Sequence, residues 1–213
     1  FGLSPDMFRA VMAGGVKAIY ESVEAAEDDS VKAGLEMEKL GLGKSDLVIG
    51  VAASGSTPYV LGVVEKARQM GVETVGVSCN HDTPLSRLVE VAVEVVVGPE
   101  VVAGSTRMKA GTAQKMVLNM MTTTALIRLG YVYDGLMVGV QATNSKLKER
   151  SKKIVSEITG SSAVEAEKAL LVADWDVRVA VLMVMLGMSH GEASEKLAAH
   201  TLREIIVKDG RGN

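Results

Sequence analysis

One stretch in the first half of the chain constrains the fold more than any other. It starts with the apolar run Leu47–Ala53 (LVIGVAA), passes through the small polar turn Ser54–Pro58 (SGSTP), and continues over Tyr59–Met70 with apolar residues at helical spacing. Gly71 ends that helix, and a second apolar run follows at Thr74–Cys79 (TVGVSC). An apolar run of strand length is typical of a strand covered on both faces. The succession therefore predicts strand, loop, helix and strand.

The same alternation continues along the chain. Val91–Val97 (VAVEVVV) predicts a third strand, Pro84–Leu88 a short crossover before it, and Met108–Leu129 a long helix closed by Gly130. Strands that alternate with helices imply a parallel sheet with right-handed crossovers. We therefore expect an α/β fold with a parallel sheet flanked by helices. The long helix is rich in Ala, Thr and Met and offers more apolar surface than one short sheet can cover, which predicts a homodimer.

Two further regions are predicted to be helical. In the first, Pro5–Leu40, apolar residues recur about one turn apart, with an interruption at Gly14-Gly15. In the second, strand signals stop after Asn144. The helices predicted there are Ser145–Ile158, Ala163–Val172, Asp174–Leu186 and Ser189–Ile206. The middle of this tail resembles a small three-helix ubiquitin-associated unit, which we expect to serve packing. The sequence thus predicts an α/β domain over residues 1–144 and a helical region over residues 145–213.

Composition and charge exclude several classes of function. The 213 residues carry a net charge of −3 and have a sequence pI near 5.7, so the chain lacks the excess positive charge that binds a nucleic-acid backbone. With Cys79 as the only cysteine, neither an intrachain disulfide nor a zinc site of several thiolates can form. No apolar stretch is long enough to span a membrane, and no signal peptide is indicated. We expect a cytoplasmic protein without a metal, a nucleic-acid partner or a membrane partner.

The turn SGSTP is the first candidate site. A strand gives way to a helix here, so the hydroxyls of Ser54, Ser56 and Thr57 and the free backbone amides converge at a helix N-terminus, with Gly55 between them. Pro58 at the first helical position sacrifices no needed donor. Ligands of open α/β sheets also bind at the carboxyl ends of the strands. The turn therefore predicts phosphate binding, and simple N-capping by Ser or Thr is the alternative.

A second helix start, Gly104–Thr112 (GSTRMKAGT), repeats this pattern and adds two cations. Ser105 contributes a hydroxyl, and Arg107 and Lys109 can neutralise or orient an anion. The positive end of a helix dipole disfavours cations, so an anionic partner explains them better than chance does. Two exposed cations in a capped first turn are the alternative.

Acidic residues cluster at the end of the first predicted helical region. Glu24 and Glu27 are expected one turn apart on one face, where like charges raise the proton affinity of a carboxyl group and suit it to general acid/base work. A solvated acidic face is the alternative. Asn80 follows the second strand and is a candidate ligand contact at the sheet edge, although an Asx turn accounts for it equally well.

Three segments are specific enough to point to a family. They are IYESVEAAEDD, VIGVAASGSTPYVLGVVEKARQMGVETVGVSCN and GPEVVAGSTRMKAGTAQKMVLNMMTTTALIRLGYVYDGLMVGVQATNSKL. Together they resemble the N-acetylmuramic acid 6-phosphate etherases, and the run GSTRMKAGTAQK is close to diagnostic. The resemblance implies a sugar isomerase (SIS) domain, a flavodoxin-like three-layer sandwich, that binds the 6-phosphate of its substrate. The resemblance to this family spans nearly the whole chain.

The resemblance also implies a reaction. A carbon-oxygen lyase of this family cleaves the ether between C3 of the sugar and the D-lactyl group, which gives N-acetylglucosamine 6-phosphate and D-lactate in peptidoglycan sugar recycling. Glu27, just before Asp28 and Asp29, matches the glutamate that removes the C2 proton, and no cofactor is implied. The family's first phosphate loop and second catalytic glutamate would precede Phe1. We therefore expect further sequence upstream, and an incomplete active site and a missing first strand without it.

Two other functions on the same fold stay open. An aldose-ketose phosphosugar isomerase also moves a C2 proton with a carboxylate, although the run GSTRMKAGTAQK disfavours it. A non-catalytic phosphosugar regulator similar to the glucokinase regulatory protein is the second alternative. All three functions predict a small phosphosugar as the ligand.

Overall fold

In the computed structural model, which describes residues 1–208, the apolar strand segments pair side by side. β1 (Leu47–Val51), β2 (Glu73–Ser78) and β3 (Val91–Glu94) form a sheet in the order β1-β2-β3, and both pairings are parallel. This confirms the α/β prediction of a parallel sheet flanked by helices. Each strand is shorter at its carboxyl end than its apolar run, because the last residues of each run leave the sheet to form the following loop.

Helices cover one face of this sheet at very short range. α1 spans Ser30–Lys39, α2 Pro58–Gln69 and α3 Pro84–Leu88. Two glycines of the sheet permit the contact: a Cβ added to Gly50 would lie 2.8 Å from the Val64 side chain, and one added to Gly76 would lie 2.9 Å from the Leu85 side chain. Val64 and Leu85 are fully buried, so α2 and α3 pack directly on the backbone of β1 and β2.

The end of β2 is also packed. Cys79 is buried, and its thiol donates to the Ala110 carbonyl at 3.8 Å. Burial raises the pKa of this thiol, with a smaller contribution from the charge of Glu100.

The helix predicted over Pro5–Leu40 is wrong for most of its length. Two short 3-10 turns, Gly15–Ile19 and Ala26–Asp28, precede α1. The cause lies in the backbone, because Gly14, Gly15 and Ala25 all have positive φ and interrupt any continuous helix. Four apolar residues suggested the helix by their spacing. Val16, Ile19 and Tyr20 are exposed and Val23 is half-buried, so they bury no common face.

The long helix is found close to its predicted bounds. α4 spans Lys109–Arg128, and Gly130 follows with a φ of 81°, as a C-terminal glycine does. A hairpin that the sequence analysis missed comes next, with β4 (Val132–Tyr133) and β5 (Leu136–Met137) in antiparallel pairing. Its turn is Asp134-Gly135, a dipeptide typical of tight hairpins, with φ of 45° and 80°.

Five helices follow. They are α5 (Ser145–Thr159), α6 (Ala163–Val172), α7 (Val177–Leu186), α8 (His190–Ala199) and α9 (Leu202–Lys208). The first three match the predicted helices, apart from the start of α7, where Asp176 caps the helix. The single helix predicted over Ser189–Ile206 is wrong, because His200 is extended and Thr201 begins a new capped turn with Glu204. Buried residues of α7 are central to the core of this helical region.

The described residues divide into two compact units. Arg9–Met120 forms one of them, with the three-stranded sheet, and Phe1–Phe8 with the chain from Met121 onward forms the other. The predicted domain boundary after residue 144 falls at the start of α5 and stays a prediction, and residues 209–213 of that predicted helical region lie outside the described residues. None of the helices described for residues 1–208 is both long enough and apolar enough to cross a bilayer.

Candidate functional site

The loop between β1 and α2 is shaped by one glycine. Gly55 has a φ of 69°, and a Cβ there would lie 2.4 Å from Thr83. The Gly55 carbonyl accepts a hydrogen bond from the Leu85 amide at 2.9 Å. Because a side chain would both clash and strain the backbone, only glycine lets this loop lie against the start of α3.

The hydroxyl groups of this loop surround an uncapped helix start. Ser54 and Ser56 are exposed and Thr57 is half-buried. The Ser56 amide donates to the Ser54 hydroxyl at 3.2 Å, which forms a local turn. Thr57 occupies the N-cap position of α2 without a capping hydrogen bond from its side chain, and Pro58 follows it. The first amides of α2 therefore have no partner within the helix, which is the arrangement that binds anions.

Asn80 has a structural contact at the same sheet edge. Its side-chain amide donates to the Ala53 carbonyl at 3.2 Å and so joins the segments that follow β1 and β2. Next to it, Glu94 accepts hydrogen bonds from the Asp82 amide at 2.8 Å and pairs with His81 at 3.2 Å. The Ser86 hydroxyl first, and then His81, lower the pKa of the Glu94 carboxyl group. This group was not singled out by the sequence, since its members come from separate segments.

The start of α4 contains an anion from the chain itself. The Glu100 carboxylate accepts hydrogen bonds from the amides of Lys109 and Ala110, each at 3.0 Å, and the Lys109 ammonium donates to the Pro99 carbonyl at 2.9 Å. The amides of Ala110 and then Lys109 lower the pKa of Glu100. A carboxylate of the chain itself therefore lies at this helix start, and the sequence did not single it out. Its distance of nine residues from Lys109 gave no periodic signal.

The other candidates at the α4 start are less constrained. Ser105 is half-buried, and its backbone amide donates to the Val102 carbonyl at 3.0 Å. Arg107 is exposed. As ligand contacts, Ser105, Arg107 and Lys109 stay predictions.

The acidic candidates do not share a helical face. Glu24 precedes Ala25, whose φ of 57° turns the backbone, and Glu27 lies on the 3-10 turn that follows. The expected spacing of one helical turn between Glu24 and Glu27 is therefore wrong, and both side chains are exposed. The turn Ala26–Asp28 packs against α2, the helix that begins at the SGSTP loop.

Two other features bear on the chemistry. Within residues 1–208, no three acidic, histidine or cysteine side chains are grouped closely enough to hold a metal ion. A cavity of about 460 Å³ lies in the unit formed by Phe1–Phe8 and the chain from Met121 onward. Its lining includes Tyr131, Trp175 and Arg178 and none of the predicted site residues.

Comparison with known proteins decides the family. An N-acetylmuramic acid 6-phosphate etherase of Geobacillus thermodenitrificans is 50% identical over 197 residues, which cover 92% of this chain and 67% of the relative. An Aliivibrio fischeri etherase is 50% identical over 200 residues, and one from Serratia proteamaculans is 46% identical over 200 residues; both cover 94% of this chain and 67% of the relative. The chain belongs to the N-acetylmuramic acid 6-phosphate etherase family. The family resemblance inferred from the three sequence segments is confirmed.

A family model agrees with the fold of this etherase-family chain. The glucokinase regulatory protein N-terminal SIS domain matches residues 3–68, a range that includes α1, β1, the SGSTP loop and most of α2. The SIS assignment thus covers the loop with the uncapped helix start and the turn that carries Glu27. The chain spans about two thirds of the length of the etherase relatives.

Proposed function

We propose that this chain supplies the phosphosugar-binding and proton-transfer parts of an N-acetylmuramic acid 6-phosphate etherase, a carbon-oxygen lyase of peptidoglycan sugar recycling. The reaction cleaves the bond between C3 and the lactyl oxygen and gives N-acetylglucosamine 6-phosphate and D-lactate. The observation that carries the proposal is the 50% identity to named etherases over 92% of the chain.

The loop after β1 is the proposed phosphate site. Ser54, Ser56 and Thr57 offer hydroxyl groups beside unpartnered amides, and Gly55 lets the backbone approach the ligand. Asn80 borders the loop through its bond to Ala53. A phosphate dianion gains from both the amides and the helix dipole, so this end of α2 binds the 6-phosphate.

Glu27 is the proposed base. The C1 aldehyde of the open-chain sugar acidifies the C2 proton, so a positioned carboxylate can remove it. The lactate then leaves from C3, and water adds to the unsaturated aldehyde. Glu24 is a further contact of the substrate in this proposal. Ser105, Arg107 and Lys109 contact it from the start of α4, where both cations are exposed.

The test is a coupled assay for D-lactate with protein made from the whole reading frame. N-acetylmuramic acid 6-phosphate is the substrate, and the unphosphorylated sugar is the control. We expect lactate from the phosphorylated sugar alone, with one N-acetylglucosamine 6-phosphate formed per lactate. Binding of the phosphosugar without any lactate contradicts the lyase.

The SIS match to the glucokinase regulatory protein favours one second candidate, a phosphosugar-binding regulator without catalysis. It predicts saturable binding of the phosphosugar and no turnover, so the lactate assay distinguishes the two functions. An isomerase would instead interconvert an aldose and a ketose phosphate and release no lactate.

Three further properties belong to the same proposal. The protein is a homodimer in which α4 contributes apolar contacts, and it acts in the cytoplasm. Residues 1–144 form its SIS domain, and residues 145–213 form a helical region similar to a ubiquitin-associated unit. Exposed methionines of α4, Met116 and Met120, support the dimer.

A further inference from the structure

If Glu27 and the SGSTP loop act on one sugar phosphate, the turn that carries Glu27 needs a fixed distance from that loop. The turn Ala26–Asp28 has Ala25, with positive φ, on one side and Asp29 on the other. The Asp29 carboxylate caps α1 by accepting the Lys32 amide at 2.9 Å. The turn is therefore continuous with α1, and its position follows from the position of α1.

Besides the Lys66–Glu38 ion pair, two contacts in the first half of α2 hold α1 on α2. The first is a backbone contact, because a Cβ on Gly62 would lie 2.5 Å from the Ser30 carbonyl oxygen and 3.0 Å from the Ser30 Cα. The second is a side-chain contact, in which the Tyr59 hydroxyl donates to the Glu36 carboxylate. Tyr59 is 3% exposed and Glu36 is half-buried, so the buried partner of this hydrogen bond is the tyrosine.

The Tyr59 end of this link borders the proposed phosphate loop. Tyr59 is the second residue of α2 and comes two residues after Thr57. Burial, followed by the hydrogen bond and the charge of Glu36, raises the pKa of Tyr59. The hydroxyl group therefore stays protonated and donates throughout the neutral pH range.

We propose that Tyr59 is a positioning residue for the reaction, which acts through Glu36 to set the distance between the Glu27 turn and the phosphate loop. The inference rests on the proposed function, because it assigns a role within the same site. Reacting groups need near-attack geometry, and a displacement of about 1 Å can cost about 100-fold in rate. Tyr59 touches neither the sugar nor its phosphate in this proposal.

The test compares Tyr59→Phe with the parent, both made from the whole reading frame. The substitution keeps the buried ring and removes only the donor. We expect kcat for lactate release, and the rate of deuterium exchange at C2, to fall by about 10- to 100-fold. KM and the inhibition constant of inorganic phosphate should stay within about twofold, because the loop residues are unchanged.

Matched variants separate positioning from folding. Glu36→Gln keeps an acceptor for Tyr59 and should lose no more than about threefold in kcat, whereas Glu36→Ala should match Tyr59→Phe. The double variant Tyr59→Phe/Glu36→Ala should lose no more than either single variant, since both remove one interaction. Tyr133→Phe, in β4 of the other unit, is the control and should keep the parental kcat.

Parental kcat in Tyr59→Phe would overturn the proposal. A rise in the phosphate inhibition constant as large as the fall in kcat would also overturn it, because then the loop and not the distance has changed.

Amide hydrogen exchange gives a measurement that does not depend on turnover. Faster exchange over residues 24–33 in Tyr59→Phe is expected, and unchanged exchange there contradicts the link even if the parent releases no lactate. Absence of lactate from the parent contradicts only the proposed function.

Discussion

At the scale of single residues, Glu100 and Glu27 show how differently two carboxylates of one chain can be placed. Glu100 accepts two amide hydrogen bonds at the start of α4, and these lower its pKa. Glu27 is exposed on a 3-10 turn against α2. A carboxylate fixed by backbone amides stabilises the fold, whereas an exposed one is available to a substrate. Glu100 therefore has a structural contact, and the chemical role of Glu27 is the one proposed above.

The role of Glu100 predicts a pH-dependent loss of stability in Glu100→Gln. The variant should have a lower melting temperature than the parent at pH 7, because an amide replaces the ionised acceptor. A depressed folded-state pKa contributes stability that is present above the unfolded-state pKa of about 4.3 and is lost as the pH falls through the folded-state pKa. The difference in melting temperature should be constant from about pH 7 to 5.5 and shrink below about pH 4.3. Thermal unfolding across this range checks the prediction.

Glu195→Gln, a change of an exposed acid on α8, is the control for that series. It should follow the parental melting temperature at each pH. A difference between Glu100→Gln and the parent that does not change with pH would show that ionisation of Glu100 has no part in the effect.

The role of Glu27 predicts a selective loss of chemistry in Glu27→Gln. The substitution keeps the size of the side chain and removes the base, so deuterium exchange at C2 and lactate release should fall together by at least about 100-fold. KM should change by less than about threefold. Glu65→Gln, an exposed acid on α2, is the control and should keep the parental rates. Parental C2 exchange in Glu27→Gln would mean that Glu27 is not the base and would make Glu24 the next candidate.

At the scale of elements, the sequence predicted the three strands of the parallel sheet and most of the helices. α3 and α6 have the predicted bounds, since each follows a residue that caps it, Thr83 and Ser162. The helix expected in the first 28 residues fails because its spacing of apolar residues serves no buried face. β4 and β5 have two residues each, which is too short for an alternation to be seen.

In the candidate site, the loop could be predicted from the sequence, whereas contacts between separate elements could not. Strand, small polar turn and proline indicated the loop after β1, because these residues act through local backbone geometry. The sequence did not indicate Glu100 or the Tyr59–Glu36 pair, because the partners in these contacts come from different elements. Tyr59 and Glu36 are 23 residues apart in the chain. Contacts of this kind depend on how α1 packs on α2 and leave no periodic trace in the sequence.

The close packing of α1 on α2 predicts a strong effect of Gly62→Val. The new side chain must displace the Ser30 backbone, which would lie 2.5 Å from its Cβ. Overpacking of this kind costs about 1–3 kcal/mol. Chemical denaturation should show this loss, and C2 exchange should fall because the Glu27 turn is displaced with Ser30.

Gly191→Val is the matched control, since no atom lies within 4 Å of a Cβ at that helical position. Its free energy of unfolding should stay within about 0.5 kcal/mol of the parent. Equal stability of the Gly62→Val and Gly191→Val variants would contradict the packing argument.

At the scale of the whole molecule, packing within one chain does not explain the exposed apolar surface. Met108, Met116 and Met120 of the α4 region are 68%, 53% and 58% exposed. Single exposed apolar residues are ordinary, but Met116 and Met120 are four residues apart and fall on one side of α4. In the dimer proposed above, this side of α4 is buried against a second copy.

The dimer proposal predicts that Met116→Glu dissociates the protein made from the whole reading frame. Burying an unpaired carboxylate in an apolar interface costs about 3–5 kcal/mol, which raises the dissociation constant about 100-fold or more. Light scattering over a concentration series should show a dimer for the parent and a monomer for the variant at the same concentration. Val164→Glu, on an exposed position of α6, introduces the same charge elsewhere and should leave the dimer intact. A monomeric parent contradicts the dimer, and a dimeric Met116→Glu variant contradicts the assignment of α4 to its interface.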